Sequence, residues 1–66
     1  MSTFPEVMDV RETAEYLGIS RDLLYKFVKA KTVPSFKLGN RLRFKKSVLD
    51  RWMEDEIKSA NYVPQS

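Results

Sequence analysis

In Asp9-Val10-Arg11-Glu12-Thr13-Ala14-Glu15-Tyr16-Leu17-Gly18-Ile19-Ser20-Arg21-Asp22-Leu23-Leu24-Tyr25-Lys26-Phe27-Val28-Lys29, two helical patterns meet at a single glycine. Asp9 and Glu12 have the spacing of a capping box, which opens a helix at about Val10. Val10, Ala14 and Leu17 fall at i, i+4 and i+7 and form one apolar stripe facing a core. Gly18 ends that helix, because glycine takes a left-handed backbone at little steric cost. Ser20 suits the N-cap of a second helix over about residues 21–31. Leu24, Phe27 and Val28 make its inner face; Asp22, Lys26 and Lys29 point the opposite way, with Arg21 and Tyr25 on the flank. The link 17–20 is so short that the helices must cross sharply. The crossing requires a small residue (Ala14), a turn (Gly18) and a side chain that fills the gap beneath the second helix (Leu24).

Downstream of this pair the period changes at Pro34. Phe36-Lys37-Leu38 and Leu42-Arg43-Phe44 alternate apolar and basic residues around Gly39-Asn40, which signals a β-hairpin. A two-residue Gly39-Asn40 loop places Leu38 opposite Arg41. A three-residue loop including Arg41 pairs Leu38 with Leu42, Phe36 with Phe44 and Lys37 with Arg43. The second register is favoured because it turns one apolar face inward and one basic face outward. A third helix is expected over 46–59, with Val48, Leu49, Trp52, Met53 and Ile57 as its apolar stripe and Asp50, Glu54 and Asp55 as its acidic outer face. Residues 1–7 read as a flexible arm ending in a short extended approach, 8–59 as the domain and 60–66, with Pro64, as a flexible tail.

The expected core is Val10, Ala14, Leu17, Ile19, Leu24, Phe27, Val28, Leu38, Leu42, Phe44, Leu49, Trp52 and Met53. Helix, sharp turn, basic helix, basic hairpin and closing helix, in that order, describe a winged helix-turn-helix: mainly α with a small β-hairpin, a helix-turn-helix, a two-stranded wing and a C-terminal helix.

Sixty-six residues allow one core. With no Cys and no His, the chain has no disulfide or thiol chemistry and lacks the usual soft and borderline metal ligands. No nucleophile–base pair or phosphate-cradling loop can be assembled, so no catalytic residue, metal or cofactor is expected, and no small-molecule ligand. Met1–Glu6 does not read as a signal peptide, and no run approaches the ~18 apolar residues of a membrane span; a cytoplasmic location without membrane contact is the expectation.

The net charge of +3 is unevenly spread. Residues 1–20 sum to −3, residues 21–46 to +8 and residues 47–66 to −2. A basic middle between acidic ends suggests a polyanion partner, with a solvated Lys/Arg surface as the other explanation, and the helix-turn-helix order points to double-stranded DNA. A helix of about 11 residues spans roughly 16 Å and fits a major groove about 12 Å wide, leading with its N-terminal residues. Ser20 and the free N–H groups beside it suit a phosphate. Arg21 can reach a phosphate or a guanine edge, Lys26 and Lys29 guanine or backbone, and Tyr25 a phosphate or a thymine methyl. Asp22 accepts from a cytosine amino group or, the preferred reading, pairs with Lys26 at i, i+4. On the wing, Lys37, Asn40, Arg41 and Arg43 suit the adjacent minor groove or flanking phosphates; cations guarding a hairpin edge against aggregation are the other explanation. Lys45 and Lys46 sit where a helix dipole disfavours cations, which points to a phosphate there or to simple solvation.

Met8-Asp9-Val10-Arg11-Glu12-Thr13-Ala14-Glu15-Tyr16-Leu17-Gly18-Ile19-Ser20, then Val33-Pro34, then Lys37-Leu38-Gly39-Asn40-Arg41-Leu42-Arg43-Phe44 and Leu49-Asp50-Arg51-Trp52 together resemble the excisionase-type, MerR-like DNA-binding domains. The resemblance covers about residues 7–53. It implies a second helix in the major groove and a hairpin touching the flanking groove. It also implies the role of an excisionase that bends DNA for an integrase, or of a small transcription regulator. An integrase or recombinase, or adjacent copies of the chain on DNA, are the implied protein partners. The DNA-recognition domain of a larger phage protein and, in another class, a protein-interaction module using the basic face are the alternatives. Where the family often has Gly, this chain has Lys31; a left-handed Lys costs about 1 kcal/mol or more, which predicts a different turn there.

Overall fold

The computed structural model describes residues 4–60. The expected arm over 1–3 and tail over 61–66 lie outside the described residues. Along the chain run β1 (Val7–Met8), α1 (Val10–Leu17), α2 (Arg21–Lys29), β2 (Phe36–Leu38), β3 (Arg41–Lys45) and α3 (Lys46–Ser59). The three strands form an antiparallel sheet in the order β1-β3-β2, so a strand joins the expected two-stranded wing on its inner side. The architecture is a winged helix-turn-helix.

Local chemistry sets the helix pair. The Asp9 carboxylate accepts from Glu12 N–H at 2.8 Å while Glu12 accepts from Asp9 N–H at 3.0 Å, completing the capping box. Gly18 has φ 73°, its N–H reaches Glu15 O at 3.2 Å and Ile19 N–H reaches Ala14 O at 3.0 Å. These two hydrogen bonds make a Schellman closure, which satisfies carbonyls of the last turn of α1 and turns the chain into α2. Ser20 caps α2 by accepting from Leu23 N–H at 3.1 Å.

At its far end α2 repeats the closure of α1. Lys31 N–H bonds Val28 O and Thr32 N–H bonds Phe27 O, both at 3.0 Å, with Lys31 at φ 59°. The turn expected to differ from the glycine form therefore keeps it. The left-handed lysine, costing about 1 kcal/mol or more, is offset by these two bonds and by a third from Thr32 Oγ1 to Phe27 O at 3.1 Å. This closure ends α2 two residues short of the expected 31.

Six apolar residues are buried, Met8, Ala14, Leu24, Val33, Phe44 and Leu49, and all but Ala14 and Val33 are completely so. Of the expected core, Val10, Leu17, Ile19, Phe27, Val28, Leu42 and Trp52 pack half-buried around them, and Met53 is half-buried. Met8 and Val33 were not expected in the core. Leu38, which was, stands 62% exposed. Val48 and Ile57, assigned to the apolar stripe of α3, are also exposed.

The register of the hairpin explains Leu38. Phe36 faces Arg43, Lys37 faces Leu42 and Leu38 faces Arg41 across a two-residue Gly39-Asn40 turn, so the three-residue loop is corrected. Gly39 has φ 67°, and it is the left-handed residue of that turn. A glycine with positive φ at the first central position makes a two-residue Gly-X hairpin whose twist matches its strands. Shifting register by one residue moves a side chain to the other face. Phe36 and Leu38 thus share a face with Arg41 and Arg43, and the clean division into apolar and basic faces is lost.

The opposite edge is fixed by contacts no local pattern announces. Met8 pairs with Phe44 and Val7 with Lys45. The N-terminus of α3 has no side-chain cap of its own; Glu6 supplies one, accepting from Ser47 Oγ at 2.5 Å and Ser47 N–H at 3.3 Å. A carboxylate there also complements the helix dipole. Phe4 meets Tyr16 edge to face at 5.1 Å between centroids. Residues 4–7, read as part of a loose arm, are accordingly held against the fold.

Candidate nucleic-acid interface

The open face of α2 carries the side chains expected there. Arg21, Asp22, Lys26 and Lys29 are exposed, and Tyr25 is 53% exposed. Helical spacing puts Asp22 and Lys29 at the centre of that face, Arg21 and Tyr25 toward the wing, and Lys26 toward α3. Lys26 borders an apolar cleft between α2 and α3, walled by Leu23, Phe27, Trp52, Met53 and Ile57. The preferred Asp22–Lys26 ion pair does not form: among the described residues the ion pair is Lys46–Asp50, 3.3 Å. Asp22 is thus a solvated carboxylate on a basic face. Ser20 uses its oxygen to cap Leu23 N–H, which leaves its O–H free to donate outward.

Arg21 and Tyr25 from α2 share one cleft of about 440 Å³ with Asn40, Arg41 and Arg43 from the wing. Arg43 is half-buried and donates from Nη1 to Leu42 O at 2.8 Å, which fixes its guanidinium against the strand. Lys37 lies apart, exposed on β2 beside a second cleft that includes Val28, Val33 and Pro34. The structure therefore groups five of the ten expected residues, leaves Ser20, Asp22 and Lys29 on the open helix face, and separates Lys26 and Lys37 to either side.

Sequence reasoning missed one member of the cleft, Arg11 of α1. It is the lone cation of the acidic block 1–20, and summing that block hid it. Helical phase was the available signal: Arg11 lies 100° from Val10, off the apolar stripe. None of Arg11, Arg21, Arg41 and Arg43 has a carboxylate partner among the described residues. Among the described residues the carboxylate bordering the cleft is that of Asp9, whose Oδ1 serves the α1 cap.

Lys46 was expected to serve a phosphate or solvent, and Asp50 to lie on the outer face of α3. Instead they bond each other, and the Tyr16 hydroxyl donates to Asp50 Oδ1. The Lys46 ammonium also lies 5.4 Å from the Tyr16 ring centroid. The Tyr16 hydrogen bond, and then the Lys46 charge, hold the Asp50 carboxyl below its ordinary range. Asp50 in turn raises the Tyr16 hydroxyl and the Lys46 ammonium. The hydrogen bond from Ser47 lowers Glu6. These groups tie α1 and the segment before β1 to α3.

Among the described residues no cluster of three or more Asp or Glu is arranged to hold a metal ion, and no helix is long and apolar enough to cross a membrane.

A crossed helix pair, a basic second helix and a hairpin wing that shares a cleft with it define a DNA-binding domain of the winged helix-turn-helix class. The helix-turn-helix domain family matches residues 7–56, and the chain belongs to it, a family of excisionase-type DNA-binding domains. No curated protein and no solved structure matches the chain.

Proposed function

We propose that this chain binds double-stranded DNA sequence-specifically as an excisionase-like architectural factor, setting the direction of recombination for a mobile element, and that it catalyses no reaction. In this reading α2 enters the major groove with Arg21, Tyr25, Lys26 and Lys29 toward bases and phosphates. The wing follows the flanking groove with Lys37, Asn40, Arg41 and Arg43. Ser20 donates to a phosphate, and Asp22, without an ion-pair partner, accepts from a cytosine amino group. The reading places the chain in the cytoplasm, beside an integrase or further copies of itself on the same DNA. The observation that carries it is the cleft between α2 and the wing, lined by four arginines against the single carboxylate of Asp9, with none of the four ion-paired among the described residues.

A domain of this size buries roughly 600–1,000 Å² on DNA, so in this reading a longer site is occupied through bending and through neighbouring domains. Titration into a fluorescent duplex at several salt concentrations tests the binding. Log K should fall with log salt at a slope equivalent to about four to six phosphate contacts. The Lys26→Ala/Arg43→Ala double variant should bind more weakly with a shallower slope. Absence of duplex binding at low salt overturns the reading. Energy transfer between dyes at the duplex ends then separates an architectural factor, which brings the ends together, from a regulator that leaves the DNA straight.

A further inference from the structure

Arg11 and Arg21 come from the starts of two different helices, and Arg41 and Arg43 from the wing, yet all four border one cleft. Four like charges in one place repel one another, and no described carboxylate pairs with any of them. Asp9, a carboxylate at the same cleft, offsets one of these charges while its Oδ1 accepts from Glu12 N–H at 2.8 Å, which leaves a net +3 from four arginines and one carboxylate. Tyr25 and Asn40 add neutral hydrogen-bonding groups at the same cleft. A set with that excess of positive charge suits an anion. Guanidinium groups present flat pairs of N–H donors that match the oxygens of a phosphate.

The position of the cleft identifies that phosphate. It lies between the helix that enters a major groove and the wing that follows the neighbouring groove. Between any major groove and its adjacent minor groove runs one sugar–phosphate backbone. That backbone must cross the cleft if both elements engage their grooves together, and a free phosphate ion has no such reason to be there.

We propose that Arg11 of α1 joins Arg21, Arg41 and Arg43 in one clamp that grips a backbone phosphate of duplex DNA where the recognition helix meets the wing. The clamp rests on the DNA-binding reading and adds to it a contact from the first helix. It also couples helix and wing, since both hold the same group.

The test compares the full-length chain with Arg11→Gln, an exposed change that keeps a good helix former. On unmodified duplex, Arg11→Gln should bind about tenfold more weakly, the effect of losing one charge-assisted hydrogen-bonded contact. Its salt slope should be shallower by about 1. A scan of duplexes carrying a single neutral methylphosphonate locates the phosphate. One or two positions should weaken the wild type about as much, and at those positions Arg11→Gln should lose nothing further. Arg11→Lys keeps the charge without the fork and should fall between the two with the wild-type slope; it carries the test if circular dichroism shows Arg11→Gln to be unfolded. Wild-type affinity and slope in the Arg11 variants overturn the clamp and leave the DNA-binding reading standing. An Arg11→Gln loss that is the same on every methylphosphonate duplex overturns it as well, because it marks a diffuse charge effect. Failure of the wild type itself to bind duplex overturns both, and is distinguished by appearing before any substitution.

Discussion

Along β3, Phe44 and Lys45 face β1, while Arg41, Leu42 and Arg43 face β2. The two stretches of one strand meet different surroundings. On the β1 side Met8 and Phe44 are fully buried, Glu6 caps α3, and the one cation drawn in, Lys46, has both a carboxylate and an aromatic ring as partners. On the β2 side Phe36, Lys37 and Leu38 are exposed, and Arg41 and Arg43 are not ion-paired among the described residues. The difference teaches where each kind of residue is spent. The charge drawn in beside the core is paired within the fold, whereas the arginines at the free edge are without an ion pair among the described residues. A basic hairpin would be a poor place to store stability and is a good place to meet a polyanion.

The strongest way to break this comparison is to attack the anchored side. Phe44→Ala should cost about 3–5 kcal/mol, the usual range for emptying a buried phenylalanine site, and in a domain this small that approaches the whole stability. Denaturant titration by circular dichroism checks it. A cost below about 1 kcal/mol would mean that the core does not depend on the β1–β3 half.

Acid should also act on the anchored side. Glu6 and Asp50 have lowered pKa values, through Ser47 and Tyr16 respectively. A carboxyl with a lowered folded-state pKa contributes stability that is present above its unfolded value and lost as pH falls through the folded one. Thermal unfolding midpoints should therefore drop as pH falls below about 4. The Glu6→Gln/Asp50→Asn double variant should start less stable at neutral pH and decline less steeply. In alkali the sign reverses. The raised Tyr16 and Lys46 values give stability present below their ordinary values near 10 and lost as pH rises further.

Strain is tolerated on the way to the free edge. Lys31, in the segment leading to β2, holds φ 59° where α1 uses Gly18 for the same closure. Lys31→Gly should stabilise the fold by up to about 1 kcal/mol, the left-handed penalty less the added chain entropy of glycine. If unfolding shows no gain, the left-handed penalty of Lys31 is no larger than the chain entropy that glycine adds to the unfolded state. Duplex binding by this variant should stay close to wild type, because Lys31 lies outside the arginine cleft.

The helix pair was legible because its signals are local: Asp9 with Glu12, Ser20 with Leu23, and Gly18 closing onto Ala14 and Glu15 lie within a few residues of one another. The anchored edge was not, because its bonds span the chain. Tyr16 meets Asp50 across 34 positions and Glu6 meets Ser47 across 41, and neither separation leaves a periodic trace. β1 is only two residues long, too short for alternation to show. At the site, the basic helix face and wing were readable as charges on exposed positions. Their grouping into one cleft, and the inclusion of Arg11, depend on how α1 crosses toward the wing, which only the folded chain sets. The hairpin misled because pairing Phe36 with Phe44 looked better than the turn geometry of Gly39 allowed.

The smallest expected effect is the one that sharpens the comparison most. With a two-residue turn, Leu38 lies opposite Arg41 at the free edge, 62% exposed. Leu38→Ser should then change the unfolding free energy by no more than about 0.5 kcal/mol, as substitutions on an open surface do. A three-residue loop would place Leu38 against Leu42 on the inner face, where truncating a leucine costs about 2–5 kcal/mol. The two registers thus differ by several-fold in a quantity that one denaturant titration measures. A large loss would return Leu38 to the core and take the wing's arginines off its face. A negligible one keeps Leu38 beside Arg41 and Arg43, an apolar side chain exposed among the cations, and makes the wing a surface whose exposed leucine does nothing for the fold.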